Sequence, residues 1–272
     1  GVNGFLAPPG DDEALAARLA PLLAGPALRL RMGRAGRRRY QERFRSDQCL
    51  EKILAVYETL AGGAPESRYI LGMRVDRTDY ASAARRVIEW ARAGESRCVC
   101  AASVNNVMEA HDSPVFREVM NRADLVTPDG MPLVWGLRWL GVRNARRVYG
   151  PALMPVVLEA AARDGLPVGF YGASRAVLEK LVREARRRFP ALVVAYSYAP
   201  PFRPLTGEED RAVVRAIGEA GARILFVGLS TPKQERWMAA HRDVVPAVML
   251  GVGAAFDFLA GVKPQAPPWM QN

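Results

Sequence analysis

The sequence predicts an α/β fold, a mainly parallel sheet flanked by helices, with an all-helical stretch in front of it. Three observations carry that prediction. From Tyr69 onward short apolar runs alternate with helical periods, the pattern of strands joined through crossover helices. At 272 residues the chain exceeds one ordinary domain of roughly 150. The small-residue stretch Ala61-Gly62-Gly63-Ala64-Pro65-Glu66-Ser67 reads as a boundary between two parts.

Taken in order, Gly1 to Gly10 is extended and ends in a turn. Asp11 and Asp12 cap a helix with Leu15, Leu19, Leu22 and Leu23 as its apolar positions, and Gly25-Pro26 ends it. A second, arginine-rich helix runs to about Phe44, and Ser46 and Asp47 open a third with Ile53, Leu54, Tyr57 and Leu60 on one stripe. Three helices without a sheet make a remnant, so the expected division is 1–62, a linker at 63–68, and an α/β domain over 69–272. In that domain Ile70 to Val75 is an apolar run, and a helix capped by Thr78 follows. Strands are expected at Val99 to Val104, Leu125-Val126, Pro167 to Tyr171, Leu192 to Tyr196, Ile224 to Gly228 and Ala247 to Gly251.

Composition bounds the function. Hydrophobic residues are 50% and charged residues 24%, a globular balance that excludes overall disorder, collagen-like repeats and a disulfide-stapled mini-protein. No run approaches the roughly 18 apolar residues of a spanning helix, and the N-terminus lacks a signal-peptide layout. A soluble or peripheral chain is expected. Cys49, Cys98 and Cys100 form no C-x-x-C pair, and His111 and His241 stand far apart. No metal site is therefore expected, and free thiols fit a reducing cytosol. The alternation Cys98-Val99-Cys100 puts both thiols on one strand face, as small core residues. The net charge of +10 favours an anionic partner, whether nucleic acid, an acidic membrane surface or a phosphorylated substrate. Arg37 to Arg39 and Arg183 to Arg188 have no interleaved aromatics or nucleic-acid motif, so solvated helix faces account for them and nucleic acid is not expected.

In parallel sheets ligands gather at the carboxyl ends of the strands. Five such junctions stand out: Ala101-Ala102-Ser103-Val104-Asn105-Asn106, Thr127-Pro128-Asp129-Gly130, Gly172-Ala173-Ser174, Gly228 to Glu235, and Gly251 to Asp257. Pro128-Asp129-Gly130 satisfies a turn without any chemistry. The apolar helix expected from Met131 to Leu140 would nevertheless hold Asp129 at a strand-to-helix mouth, the position of a general base toward a hydroxyl. Gly172, Gly228, Gly251 and Gly253 allow close backbone approach to a diphosphate, with helix N-terminal amides as donors; a tight turn is the plainer account of Gly251-x-Gly253. No D-x-D follows a strand, and Glu208-Glu209-Asp210 reads as the first turn of a helix after Thr206. Charge on a leaving diphosphate would then fall to Arg147 and Lys233.

With these residues quoted, two resemblances can be stated. Asn3 to Asp11, Glu13-Ala14-Leu15 and Met32-Gly33 through Arg45 resemble the C-terminal end of two-lobed (GT-B) glycosyltransferases, and that segment receives no site residue. From about Tyr69 to Asn272 the chain resembles the WecG/TagA/CpsF glycosyltransferases. The carriers are Ala123 to Trp135, Arg147-Val148-Tyr149-Gly150-Pro151, Pro201 to Thr206, Val227 to Met238, and Gly251 to Gly261 followed by Ala266 to Gln271. The resemblance implies a Rossmann-like domain with no bound cofactor or metal. Its implied activity is inverting transfer of an N-acetylmannosamine-type sugar from a UDP-N-acetylhexosamine donor to a polyprenyl-diphosphate-linked acceptor, in surface-polysaccharide or teichoic-acid-type synthesis.

The same resemblance places the family's catalytic aspartate on Asp129 and puts Arg147, Gln234 and Asp257 at binding positions. Ser103, Asn105, Gly172, Lys233, Gly251 and Gly253 complete the expected substrate-binding set. Two departures stand against the family pattern: Ala101 and Ser103 occupy the places of a T-x-N motif, and Pro268 to Asn272 ends where a basic, partly apolar tail is expected. A non-catalytic nucleotide-sugar-binding or scaffold module is the alternative. A dinucleotide-dependent oxidoreductase is disfavoured, because Val75-Asp76-Arg77 lacks the glycine-rich turn after a first strand. The expected location is the cytoplasm, at the inner face of the cytoplasmic membrane, and homo-oligomerisation is left open.

Overall fold

The computed structural model describes residues 2–45 and 66–264. The chain divides into two units, Gly1–Ala64 and Pro65–Asn272. The expected third helix, Cys49, the first linker residues and the motif from Ala266 to Gln271 lie outside the described residues.

In the first unit α1 is Asp12–Ala24 and α2 is Pro26–Arg43. Asp11 caps α1, its carboxylate accepting the Ala14 N–H at 2.8 Å. Gly25 ends α1, and Pro26 opens α2 where its missing N–H costs nothing. Arg29 closes the corner by donating to the carbonyls of Leu22 and Leu23, at 2.5 and 2.9 Å. Met32 is the only buried apolar side chain among the described residues of this unit, while Leu6 and Leu23 stand 92% and 79% exposed.

The second unit opens with an antiparallel hairpin, β1 Ser67–Ile70 and β2 Met73–Asp76. The apolar run from Ile70 to Val75 is therefore two strands rather than one. Leu71 and Gly72 turn it, with φ of +48° and +84°, the left-handed pair that suits a two-residue hairpin. Ser67 and Arg68 pair with Asp76 and Val75, so the linker ends before them. The central sheet has six strands: β3 Arg97–Ala102, β4 Leu125–Pro128, β5 Val168–Gly172, β6 Val194–Tyr198, β7 Ile224–Gly228 and β8 Val248–Gly251. They are all parallel, in the order β4-β3-β8-β7-β5-β6. Two strands differ from expectation. The third ends at Ala102 because Ser103 turns out to cap the next helix, and the sixth pairs over Val194–Tyr198, two residues later than read.

The helices of this unit are α3 Tyr80–Ala93, α4 Val104–Asp112, α5 Pro114–Arg122, α6 Met131–Trp139, α7 Gly150–Asp164, α8 Arg175–Arg188, α9 Gly207–Glu219, α10 Lys233–Ala240 and α11 Ala255–Leu259. Asp79, not Thr78, caps α3, accepting the Ser82 N–H at 2.8 Å. A carboxylate outranks a threonine hydroxyl as an acceptor there. Thr206 and Glu209 form the capping box at the start of α9.

Strand alternation sorts the core into two layers, one on each face of the sheet. Val99, Leu125, Phe170, Phe226 and Leu250 point to one face; Cys98, Cys100, Val126, Leu225, Val227 and Met249 point to the other. Each fully buried side chain of this size stabilises by roughly 1.5–3 kcal/mol, which is why both faces must be covered by helices. Phe170 anchors the first layer, 5.7 Å from the Phe226 ring and 5.8 Å from Phe256. Both thiols lie on one face as expected, and burial pushes Cys98 up to about 12 and Cys100 well above its ordinary value. The free edge of β4 is finished by a side chain: the buried Asp76 accepts the Val126 N–H at 2.7 Å. Burial outweighs Arg74 and raises the Asp76 pKa.

The topology locates the cleft. The chain runs from β3 to β4 at one edge, crosses to β5 and β6 at the other, and returns through β7 to set β8 beside β3. Where neighbouring strands send their connections in opposite directions, their carboxyl ends leave a crevice.

Candidate active site

Asp129 follows the last residue of β4 and precedes α6, for which Gly130 is the cap. Its backbone is fixed on both sides, because its N–H donates to the Ala102 carbonyl at 2.9 Å and its carbonyl accepts Nε of Arg147 at 2.5 Å. The segment after α6 is stitched back to β4: the Val148 N–H donates to Pro128 at 2.9 Å, and the Thr127 hydroxyl to the Val148 carbonyl at 3.1 Å. That return delivers the first residue of α7. The Gly150 N–H donates to Oδ2 of Asp129 at 2.8 Å, so the carboxylate sits on a helix N-terminus, where backbone amides favour negative charge.

A side chain at Gly150 would stand 3.3 Å from the Ala101 Cβ, 3.3 Å from the Val252 carbonyl and 3.4 Å from Oδ2 of Asp129. The ends of β3, β4 and β8 thus converge on one carboxylate. Burial raises the Asp129 pKa to about 6, opposed by the Gly150 N–H and by Arg147. Oδ2 is held, while Oδ1 takes no hydrogen bond from the described residues. Arg147 also lies over the Tyr149 ring, its Cζ 4.3 Å from the centroid. Tyr149 in turn donates its N–H to the Tyr80 hydroxyl at 3.1 Å and faces Phe258 across 6.5 Å.

A second polar cluster lies on the other side of the Val252-Gly253 turn. The buried Gln234 accepts the Gly253 N–H at 3.1 Å and donates to Oε1 of Glu235 at 2.9 Å. That single oxygen also accepts from Asn106 at 2.9 Å and from the Thr231 hydroxyl at 3.0 Å. Glu235 is 1% exposed, and its Oε2 is buried without a partner. Three donors on one oxygen tie α4, the loop before α10 and the turn after β8 into one network.

Of the residues singled out in the sequence, Asp129 and Arg147 are brought together, and Gln234 joins them through the Val252-Gly253 turn. The others go elsewhere. Ser103 caps α4, its N–H and hydroxyl both donating to Oδ1 of Asn106 at 3.0 and 3.1 Å. Asn105 is exposed, and its neighbour Asn106 is the buried one. Lys233 is the exposed first residue of α10, with no ion pair or hydrogen bond among the described residues. A Cβ on Gly172 would come 2.4 Å from the Gly228 carbonyl oxygen, so close packing of the two strand ends by itself requires glycine here. Gly251 is held under Met238 and Gln234, and Gly253 spends its N–H on Gln234. Asp257 pairs with Lys263 at 2.7 Å.

Gly150, Glu235 and Asn106 were not anticipated as site residues. Gly150-Pro151 did carry a signal, since a proline in the first turn marks a helix start; Asn106 and Glu235 lie in two of the strand-end junctions, but nothing local says that an asparagine and a glutamate 129 positions apart will meet. Among the described residues no three His, Cys, Asp or Glu side chains group as metal ligands, and no helix is long and apolar enough to cross a membrane.

Comparison with known proteins gives the family of the second unit. The family model described as the glycosyl transferase WecG/TagA/CpsF family matches residues 68–272. The chain is similar to an N-acetylglucosaminyldiphosphoundecaprenol N-acetyl-beta-D-mannosaminyltransferase of Bacillus spizizenii, 29% identical over 160 residues, which is 58% of this chain and 60% of the relative. It is also similar to the protein of the same name from Staphylococcus aureus, 30% identical over 153 residues, 56% of this chain and 58% of the relative. The aligned part spans about six-tenths of the length of these curated relatives.

Proposed function

This chain belongs to the WecG/TagA/CpsF family of glycosyl transferases, and on that premise we propose that residues 65–264 form an inverting sugar transferase with Asp129 as its base. The donor in this reading is a UDP-linked N-acetylmannosamine-type sugar. The acceptor is a saccharide on a polyprenyl diphosphate, the class that the relatives' names specify. The observation that supports it best is a carboxylate with a pKa of about 6, held by one oxygen at the switch point of a parallel sheet.

The chemistry follows from that placement. Oδ1 of Asp129 takes the proton of an acceptor hydroxyl as that oxygen forms its bond to the anomeric carbon, and the bond from that carbon to the UDP oxygen breaks on the opposite face. A base with a pKa near 6 is mostly ionised at neutral pH, yet basic enough to assist a hydroxyl. Arg147 and helix N-terminal amides meet the charge that builds on the diphosphate, so the reading calls for no bound metal. Gln234, with Gly253 beside it, faces the donor. Ala101, where some family members carry threonine, leaves donor contacts to these other groups. The acceptor's lipid places the reaction at the inner face of the cytoplasmic membrane.

The test is transfer from a panel of UDP-N-acetylhexosamines to a soluble lipid-diphosphate-N-acetylglucosamine acceptor. Asp129→Asn keeps the side chain's shape and removes the base, so transfer is expected to fall about 10²- to 10⁴-fold while UDP-sugar binding persists. Unchanged turnover would remove Asp129 from the mechanism. UDP binding without transfer in the unaltered protein would favour a binding module.

A further inference from the structure

Helix α6 starts at the catalytic carboxylate and is apolar on both sides. Leu133, Val134 and Leu137 face the core; Trp135 and Trp139, one turn apart on the outer face, are 59% and 92% exposed, and Leu140 beyond them is 44% exposed. A tryptophan carries one of the largest apolar surfaces of any side chain. Two left in water on one stripe mark a contact surface.

Positive charge dominates around that stripe: Arg68 donates to the Leu140 carbonyl at 3.1 Å, and the acidic Glu66 beside it is paired with Arg68 at 3.0 Å. From Gly130 to Leu158 the sequence contains Arg138, Arg143, Arg146 and Arg147 and no aspartate or glutamate. Arg138, Arg143 and Arg146 belong to the tryptophan end of the helix and the loop after it, whereas Arg147 returns to its start at Asp129. Arg138 donates from Nε and Nη2 to the Ala145 carbonyl, at 3.2 and 3.0 Å, which folds the loop bearing Arg143 and Arg146 back onto the C-terminus of α6. Arg77 reaches the same loop through Oδ1 of Asn144 at 3.0 Å. Arg143 and Arg146 are exposed.

We infer that the outer face of α6 and the arginine loop behind it dock on an anionic lipid surface. Tryptophan belongs at the boundary between headgroups and acyl chains, because its ring is apolar and its N–H is not. Arginines beside it are drawn to acidic headgroups. The same charges argue against a second copy of the chain, since pairing this face with itself would set arginines against arginines. The placement also has a consequence for the site. Gly130 leads directly from Asp129 into the helix, and at the far end of the segment Arg147 returns to the Asp129 carbonyl. Trp139 lies about 12 Å along the helix axis from its first residue. A chain docked through this face would therefore hold its carboxylate close to the lipid surface.

The experiment is flotation of the full chain with vesicles of phosphatidylcholine alone or mixed with phosphatidylglycerol. Binding is expected only to the mixed vesicles and is expected to weaken as salt rises. The double variant Trp135→Ser/Trp139→Ser should bind about tenfold less, and Arg143→Glu about fivefold less. Trp139→Ser alone, at the most exposed position, guards against a folding defect and should show part of the loss. Wild-type binding by all three variants would overturn the inference, as would equal binding to neutral vesicles. A dimer in solution that Trp139→Ser dissociates, with vesicle binding unchanged, would instead make this face a contact between copies. The inference stands on this surface alone, so a chain that binds vesicles without transferring sugar would fail the catalytic reading and keep this one.

Discussion

At the ends of β3, β4 and β8 small residues let three segments close around one carboxylate. A methyl on Gly150 would meet the Ala101 Cβ, the Val252 carbonyl and Oδ2 of Asp129 at 3.3–3.4 Å, and Oδ1 takes no hydrogen bond from the described residues. At the ends of β5 and β7 small residues close the gap. Gly172, at φ +128°, lies against the Gly228 backbone, and Gly228 is itself covered by the Phe256 ring, 2.8 Å from where its Cβ would be. The two halves of the sheet's carboxyl edge thus both use glycine for close packing, one against a carboxylate and one of backbone on backbone. A glycine after a strand is therefore no sign of a phosphate site until its neighbours are known.

Substitutions on either side test that contrast. Gly172→Ala should have the largest effect, because its methyl meets backbone that cannot swing aside and the residue keeps a left-handed φ. A loss of about 3–5 kcal/mol is expected in denaturant unfolding, with sugar transfer per folded molecule unchanged; a variant of normal stability but impaired donor binding would move this edge into the site.

Asp129→Asn should do the reverse. Its folded pKa of about 6 lies above the ordinary 3.8, so the folded protein holds this proton more tightly than the unfolded chain. The stability from this group is full below about pH 4 and declines as pH rises through 6. The asparagine variant escapes that decline and should be more stable at pH 7 by up to about 3 kcal/mol, while losing transfer. Equal melting temperatures for the two proteins across pH 4 to 7 would contradict the burial argument. In the unaltered protein the rate should climb as pH passes about 6.

Glu235→Gln probes the network that holds Gln234. The amide oxygen can still accept its three donors, but an NH₂ then replaces the buried, partnerless Oε2. A loss of about 1–2 kcal/mol is expected, with KM for the donor raised more than kcat is lowered. The smallest effect is expected from Asp257→Asn. It removes an ion pair to a lysine that is 60% exposed, worth under about 1 kcal/mol. A rise in donor KM at normal stability would show that Asp257 also faces the substrate.

Much of this was legible beforehand, for a physical reason. Parallel strands buried on both faces must be continuous apolar runs, so all six central strands stood out within about two residues, and the small-residue stretch 61–67 contains the point at which the chain divides into two units. Capping was legible at Asp11 and Thr206, where acceptor and amide are three residues apart. It was misread at Thr78, where Asp79 is the stronger acceptor, and at the run from Ile70, where Leu71 gave no sign of its left-handed φ. In the candidate site, Asp129 and Arg147 stood out because the motif around each is local, and the structure brings the two into contact. At Ser103 and Gly172 the sequence pattern admits more than one role, since a cap, a strand contact and a binding position all favour the same small residues.

The sequence by itself determined the parallel α/β unit, its junctions and an aspartate at the mouth of a strand, because each depends on residues a few positions apart. Tertiary structure alone decided that Gly150 reaches Asp129 from 21 positions away, that Glu235 gathers Asn106 and Gln234, and that Trp135 and Trp139 face outward. Those outcomes depend on which segments the sheet order brings together and which side of a helix the core takes up, and neither is encoded within the reach of a turn.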